Sequence, residues 1–490
     1  MDVESARGFR EPQPQNTMIN TRLIGTLALV AAASQVSAVN PPPPAPGATT
    51  PPSAPFGAMT PPPAPLGAVK PTPAPAPAPS AMKPAPMPLA APAKPVVDDS
   101  ALLTPPKQRA LRPQPLIKPA MPRLNPAKPL FGDPLPGLTP AQLELFVDGK
   151  ADFEKTEDVE GGLGPIFNER SCVACHNSGA VGGASPRNVT RFGRVTAAGF
   201  DSLDALGGSL LQDQAILPAA REFVPREANL VVRRNSTPVF GLGLIEAIPD
   251  AAIVANVRAT AVDGVRGKAA MVVDVVSGQT RVGRFGWKAQ QATVLGFAAD
   301  AYANEMGVTN RFFPKENAPN GDAAKLAKSD FIQDPEDAPA TGLADFEKVA
   351  NFMKLLGAPP QAPATASSTA GQQVFLNAGC AVCHVPSLKT GPSSDPAFDR
   401  KEVRLFSDLL LHDMGSLGDG IVQAPAGPRE MRTAPLWGLR ASAPYLHDGR
   451  ARTVDEAIAA HDGEAKVSRD RYLKLTPAQK KQLSDFLMTL

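Results

Sequence analysis

The chain has 490 residues, of which 49 are Lys or Arg and 47 are Asp or Glu, giving a formal net charge of +2. This near balance excludes the strongly basic composition of a nucleic-acid-binding protein, so we expect no nucleic acid among its partners. The length exceeds that of one typical domain, and the sequence has room for two domains with sizeable cores.

Residues 1–38 consist of a short polar extension followed by the pattern of an export signal. The pattern starts at Met18, with Arg22 as its basic part, an apolar run over 23–33 and small residues over 36–38 as a cleavage site. The apolar run is short for a bilayer span, so we expect cleavage, with an uncleaved anchor as the alternative. The sequence therefore predicts a periplasmic protein with no stable membrane span after cleavage.

Residues 39–130 hold most of the 56 prolines, alternating with Ala, with few charges and almost no aromatic residues. Such a composition cannot bury a core and favours polyproline II structure. We predict a disordered linker that acts as a tether or spacer. The folded part is then expected over 131–490.

Four segments of the folded part carry helix signals. Thr139 and Thr476 are each the second residue of an L-T-P-A-Q sequence, in which Thr is the N-cap, Pro lies in the first turn and Gln is at the capping-box position. A third helix is predicted over 344–356, and a short one precedes Cys380. A linker over 358–368 then separates two predicted domains, 131–360 and 361–490.

A long insertion separates His176 from the helix at 344. It contains a predicted hairpin over 271–285, with a turn at Ser277-Gly278, and a predicted helix over 289–305. The fold class is therefore predicted as mainly α, with two cytochrome c-like haem domains and some β structure in the insertion of the first. An insertion of this size favours a shaped pocket over a simple electron carrier.

All four cysteines occur in two C-x-x-C-H sequences, at 172–176 and 380–384. This pattern is the attachment sequence of c-type haem, in which both thiols bond to the porphyrin and the His ligates the iron. Two disulfides or a zinc site remain as alternatives, but neither accounts for the trailing histidines. The predicted cofactors are two covalently bound haems c. The predicted attachment cysteines are Cys172, Cys175, Cys380 and Cys383, and the predicted proximal ligands are His176 and His384.

The sixth iron ligands distinguish electron transfer from reaction with a small oxidant. No His lies between 176 and 384, so the first domain offers only Met271, Met306, Met353 and Tyr302. We predict that the first haem is open or weakly capped, with His/Met ligation as the alternative. The second domain has three spare histidines, and their spacing does not choose among them. They are His412, His447 and His461.

Several segments carry a resemblance to a known family. The haem motifs and PLWGLRASAPYLHDGRARTVDEAIAAHDGEA resemble the di-haem cytochrome c peroxidase superfamily. GLGPIFNERSCVACHNSGAVGGASPR, RRNSTPVFGLGLIEAIPD, RFGWKAQQATVLGFAADAYANEMG and FSDLLLHDMG are most similar to its di-haem oxidoreductase branch, often labelled "thiol oxidoreductase". The resemblance covers about 133–490.

The resemblance implies roles for five residues. His461 falls where relatives place the Met or Tyr ligand of the second haem, which implies bis-His ligation. Glu246 is the best match to the carboxylate that moves a proton during peroxide cleavage, although it fits a loop carboxylate equally well. Trp287 could lie between the haems, with packing as the alternative. His447 and His412 then have supporting roles.

The predicted function is a periplasmic di-haem oxidoreductase of the peroxidase type. The first haem reacts with peroxide or dioxygen, and the second transfers electrons, with a redox protein as a candidate donor. One alternative is an electron-transfer cytochrome without enzymatic activity. Another is a di-haem oxygenase acting on an apolar polymer. The thiol label has no support, because both motifs together use every cysteine.

Overall fold

A computed structural model of the chain describes residues 129–423 and 425–490. The predicted export signal and nearly all of the Pro-rich segment lie outside these residues. The α-helices of the described part are α1 (Pro140–Glu154), α2 (Cys172–Cys175), α3 (Leu242–Glu246), α4 (Asp250–Val254), α5 (Val294–Ala301), α6 (Ala323–Ser329), α7 (Asp345–Leu355), α8 (Ala366–Asn377), α9 (Val454–Ala459), α10 (Lys466–Leu473) and α11 (Pro477–Leu487). Its strands are β1 (Ile166–Phe167), β2 (Asn188–Thr196), β3 (Gly199–Asp201), β4 (Ser209–Leu211), β5 (Gln214–Ala215), β6 (Leu230–Asn235), β7 (Ala270–Val273), β8 (Thr280–Gly283), β9 (Leu388–Lys389), β10 (Glu402–Val403), β11 (Leu411–Asp413) and β12 (Glu430–Arg432).

The two helix starts predicted from the L-T-P-A-Q sequences are confirmed. Thr139 caps α1 and Thr476 caps α11, and in each case the Gln three residues later completes a capping box. Each box satisfies backbone N–H groups that the first helical turn leaves without a partner. The predicted helix at 344 is also present as α7, with Ala344 at its N-cap.

The same helix-to-helix contact occurs twice, once around each C-x-x-C-H motif. Helix α1 packs against α7, and α8 packs against α11. Both contacts depend on a glycine, since a Cβ at Gly149 would lie 2.0 Å from the Lys348 carbonyl oxygen, and one at Gly371 would lie 1.8 Å from that of Gln482. Only glycine allows the two backbones of each pair to approach so closely.

The insertion contains the larger part of the β structure, as predicted. Strand β2 pairs antiparallel with β3, β4 and β6, and β7 pairs with β8 as the predicted hairpin. The prediction of a helix over 289–305 is wrong at its start. Helix α5 begins at Val294 with Thr293 as its N-cap, because Gln291 bridges to Phe285 and Ala289 has a positive φ of 53°. A π-helical turn over Tyr302–Met306 follows α5 directly.

The main apolar core extends across the predicted domain boundary. It includes residues of α1, α5 and α7 together with Leu405, Leu409, Leu410 and Trp437 from the C-terminal region. A smaller cluster contains residues of α8 and α11 around Phe375. The predicted linker over 358–368 ends earlier than expected, because α8 already begins at Ala366. Within 129–423 and 425–490, no helix is both long and apolar enough to cross a bilayer.

Candidate functional site

Each C-x-x-C-H motif lines a cavity of its own. The cavity at 172–176, called here the first cavity, has a volume of about 740 Å³. The cavity at 380–384, called the second cavity, has a volume of about 280 Å³. Both thiols and the adjacent imidazole of each motif belong to the lining of its cavity. The structure therefore brings together all three predicted residues of each attachment site.

The first motif forms the short helix α2, which places both thiols at the wall of the first cavity. His176 follows immediately, and its ring lies 6.1 Å from that of Phe153 on α1. Burial lowers the pKa of His176 to about 4, against a smaller opposite effect of the Gly183 and Thr237 backbone. Nδ1 of His176 is a buried polar atom with no hydrogen-bond partner among the described residues.

In the second motif, Cys380–Val382 forms a 3₁₀ turn that ends just before His384. Nδ1 of His384 lies 2.9 Å from the carbonyl oxygen of Phe406, to which it can only donate. Burial lowers the pKa of His384 to about 4, so the imidazole is neutral at physiological pH. A neutral imidazole whose Nδ1–H is held by a carbonyl presents Nε2 as its free lone pair, which is the form that ligates metals.

His461 lies in the same cavity as His384 and has the same hydrogen-bond arrangement. It follows α9, and its Nδ1 lies 2.8 Å from the carbonyl oxygen of Ala457. Burial is the main cause that lowers its pKa. His461 and His384 both line the second cavity. The second cavity thus contains two imidazoles with Nδ1 held and Nε2 unbonded among the described residues.

Two further histidines, His412 and His447, line the second cavity. Both ring nitrogens of His412 already have carboxylate partners. Nδ1 of His412 lies 2.6 Å from Oε2 of Glu464 and its Nε2 lies 3.0 Å from Oδ2 of Asp408. Despite burial, these bonds and the nearby Cys383 raise its pKa to about 12. A doubly bonded imidazolium has no lone pair for a metal. The ring of His447 lies 6.2 Å from that of Trp287, edge to face.

All four cysteines lie in the described part and are free thiols, so the disulfide alternative has no support. Burial is the first cause that raises the pKa of Cys172 and Cys380 to about 12 and that of Cys175 to about 11. The two Cys pairs line different cavities, so they do not come together as the four ligands of one zinc ion. The donor groups of both cavities fit a thioether-linked haem with an axial His.

Three of the candidate sixth ligands of the first domain line the first cavity. They are Tyr302, Met306 and Met353, each at most 5% exposed. Met271 lies on β7 with 49% of its surface exposed and does not contact the cavity. No histidine other than His176 lines the first cavity among the described residues.

Glu246 lies outside both cavities. One carboxylate oxygen accepts a hydrogen bond from the backbone N–H of Val294, at the start of α5, and the other lies 2.8 Å from Nζ of Lys354. Its side chain therefore joins α3, α5 and α7 in the structure. The structure does not bring Glu246 together with the C-x-x-C-H residues.

A different carboxyl group lines the first cavity. Glu305, in the π-helical turn, accepts a hydrogen bond of 2.8 Å from Nδ2 of Asn168. Burial raises its pKa, while the nearby Arg191 acts in the opposite direction. After burial, the charge of Glu305 is the next cause that raises the pKa of Cys175, so the carboxyl lies near the motif. Sequence analysis missed this residue, although N-E-M-G at the end of a predicted helix was the available signal.

Trp287 lines both cavities. Its indole N–H donates to the carbonyl oxygen of Asn235 at 2.9 Å, and the Asn235 N–H donates to that of His447 at 2.7 Å. Asn235 also lines both cavities. Trp287 and Asn235 are thus hydrogen-bonded to each other at the place where the two cavities adjoin.

Comparisons with solved structures gave 44 similar chains. Hydrazine synthase from Kuenenia stuttgartiensis has 14% identity and a TM-score of 0.36, over 78% of this chain and 97% of that one. A MauG-like protein associated with microbial copper homeostasis has 15% identity and a TM-score of 0.26, over 51% and 89%. A variant of the diheme peroxidase BthA from Burkholderia thailandensis has 14% identity and a TM-score of 0.32, over 74% and 87%. These likenesses are too weak to carry a functional argument.

No curated protein matches the chain. A family model described as "Di-haem oxidoreductase, putative peroxidase" matches residues 224–490, which is more than half of the sequence. This match confirms the resemblance inferred from sequence, over a range that begins after the first C-x-x-C-H motif. The chain therefore belongs to the di-haem oxidoreductase family.

Proposed function

We propose that this di-haem oxidoreductase is an exported, peroxidase-type enzyme whose two haem sites differ in function. The observation that carries the proposal is the difference between the two cavities. The second is lined by two imidazoles whose Nδ1 is held by a backbone carbonyl, His384 and His461. The first contains only His176 among the described residues and has the larger volume. The first site is therefore the one that accepts a small oxidant.

In the second cavity the chain holds the imidazoles of His384 and His461 in fixed orientations. The Phe406 and Ala457 carbonyl oxygens each accept an Nδ1–H, which fixes the tautomer of His384 and His461 and raises the basicity of Nε2. His412 connects the segments that carry these groups, because its ring bonds Asp408 and Glu464. His384 and His461 would hold the haem iron in this cavity, and the bound haem would supply electron transfer.

In the first cavity we assign proton transfer to Glu305. Its carboxyl has a raised pKa and lies near Cys175, so it can take a proton from bound peroxide and return it to the leaving oxygen. The Asn168 amide holds one oxygen and leaves the other available. Glu246, which the sequence favoured for this step, is held at α5 and Lys354 instead.

Electrons would cross between the sites through the segment around Trp287. The indole lies at the wall of both cavities, and its N–H is hydrogen-bonded to Asn235. This bond fixes the orientation of the ring. An aromatic group between two redox centres divides the electron's path into shorter steps. The electron-carrier alternative would make the same use of Trp287 but requires a strong sixth ligand in the first cavity.

The lining of the first cavity also bears on the apolar-polymer alternative. Many of its residues from the insertion are polar or charged, among them Arg191, Gln212, Glu222, Asp300 and Glu305. A hydrocarbon chain in this cavity would leave polar atoms of the lining without a partner, among them Nε of Arg191, which has none among the described residues. A small polar oxidant such as peroxide suits this lining better than an apolar polymer does.

The experiment that tests the proposal measures peroxide reduction by the isolated holoprotein with an artificial electron donor. A pyridine haemochrome assay first counts the haems, and we expect two of c type per chain. His176→Ala should abolish peroxide reduction because it removes the proximal ligand of the reactive site. Wild-type protein with two haems c and no reaction with peroxide would favour the electron carrier, and protein with zinc or free thiols would refute the haem assignment.

A further inference from the structure

Arg432, the last residue of β12, is a buried cation at the wall of the second cavity. Only 7% of its surface is exposed. Its Nε donates to the carbonyl oxygen of Gly286 at 2.8 Å, and its Nη1 donates to that of Thr433 at 3.1 Å. These neutral acceptors orient the guanidinium, but they do not neutralise its charge.

No carboxylate among residues 129–423 and 425–490 forms an ion pair with Arg432. Burial is the only cause acting on its pKa, which falls to about 10. The other buried cations of this region do have anions: Arg234 and Lys288 lie 2.6 Å and 3.0 Å from Asp419, and Arg284 pairs with Asp250. An unpaired buried charge is strongly destabilising, so a cation in this position requires an anion from elsewhere.

The anion must reach the second cavity, because that is the space that Arg432 lines. Haem carries two propionate groups, and a guanidinium is the side chain best suited to bind a carboxylate through two parallel hydrogen bonds. We propose that Arg432 binds a propionate of the second haem. This inference rests on the proposed function, which places that haem between His384 and His461.

The same residue would connect the second haem to the segment between the cavities. The backbone N–H of Arg432 donates to the carbonyl oxygen of Trp287 at 2.9 Å, and its Nε donates to the carbonyl of Gly286. Arg432 is thus bonded to two consecutive residues that line both cavities. A propionate held by Arg432 lies one side chain away from Trp287, on the route proposed for electrons.

The test is a redox titration of the low-spin haem in holoprotein variants with their haem content measured. Arg432→Gln removes a buried positive charge next to the haem, which disfavours the reduced iron. The ratio of oxidised to reduced haem at a given potential should rise at least tenfold, a fall of 59 mV or more in midpoint potential. Arg432→Lys keeps the charge. It should therefore change the midpoint potential by less than half of the change that Arg432→Gln causes.

Arg440→Gln is the matched control. Arg440 belongs to the same region, is exposed, bonds only the carbonyl oxygens of Leu490 and Pro360, and does not line the cavity. Its replacement should change the ratio of oxidised to reduced haem at a given potential by less than threefold, because solvent screens the charge of Arg440. The proposal would be overturned if the Arg432→Gln protein retained both haems and its low-spin haem had the same midpoint potential as that of the Arg440→Gln control.

Two other outcomes separate this inference from the proposed function. If Arg432→Gln loses the second haem, Arg432→Lys must restore it, and a Lys variant that also lacks the haem contradicts a charge-pairing role. A wild-type protein without two haems c refutes the proposed function itself. That result is seen in the pyridine haemochrome assay before any variant is titrated.

Discussion

Replacing Glu305 by Gln is the sharpest test of the chemistry assigned to the first cavity. Glutamine has the same shape, and its carbonyl oxygen can still accept the 2.8 Å hydrogen bond from Asn168, so the fold should be retained. The variant loses the ionisable group alone. Because a positioned acid or base contributes about 10²–10⁴-fold, the peroxide step should slow by that factor, or about 2.7–5.4 kcal/mol in activation free energy.

The assay is stopped-flow absorbance of the holoprotein mixed with peroxide, with Glu246→Gln as the matched control. Glu246 belongs to the same domain but bonds Val294 and Lys354 instead of lining the cavity. Its replacement should change the rate by less than threefold. The wild-type rate should rise with pH as the Glu305 carboxyl ionises, above the usual pH range for Glu because burial raises that pKa. An unchanged rate in Glu305→Gln, or a large loss in Glu246→Gln, would refute the assignment.

Three further predictions concern the second haem, the core and the linker. His461→Ala should convert one low-spin haem to high-spin by optical spectroscopy, whereas His447→Ala should leave both unchanged; the reverse pattern would exclude His461 as a ligand. Asp419→Asn leaves Arg234 and Lys288 buried without their anion, and urea denaturation should show a loss of about 3–5 kcal/mol in unfolding free energy. A loss below 1 kcal/mol would show that water reaches this pair of cations. Protein truncated to begin near Leu130 should keep both haems and its melting temperature, and a large drop on truncation would show that the Pro-rich segment contributes to stability.

The elements that could be predicted from sequence are those fixed by neighbouring residues. The Thr and Gln of each L-T-P-A-Q sequence are three residues apart and bond each other, so the starts of α1 and α11 follow from local chemistry alone. The β7–β8 hairpin likewise needed only alternation and a Ser-Gly turn. Both C-x-x-C-H motifs are also local, and the structure places all their donor groups at cavity walls.

The parts that could not be predicted depend on contacts between distant residues. Glu305 reaches the first cavity through a π-helical turn and is held by Asn168, which is 137 residues away in sequence. Glu246 has the same chemistry, but the N-terminus of α5 and Lys354 hold it outside both cavities. Arg432 gives no sequence signal at all, because its lack of a carboxylate partner is a property of the folded surroundings.

The central claim is that the two haem sites differ, one open and one closed by two imidazoles. Electron paramagnetic resonance of the oxidised holoprotein measures this directly, because open and bis-His ferric haems have distinct spectra. We predict one high-spin and one low-spin haem per chain, with cyanide converting only the high-spin one. Two low-spin haems that bind no cyanide, in both oxidised and half-reduced protein, would contradict the account.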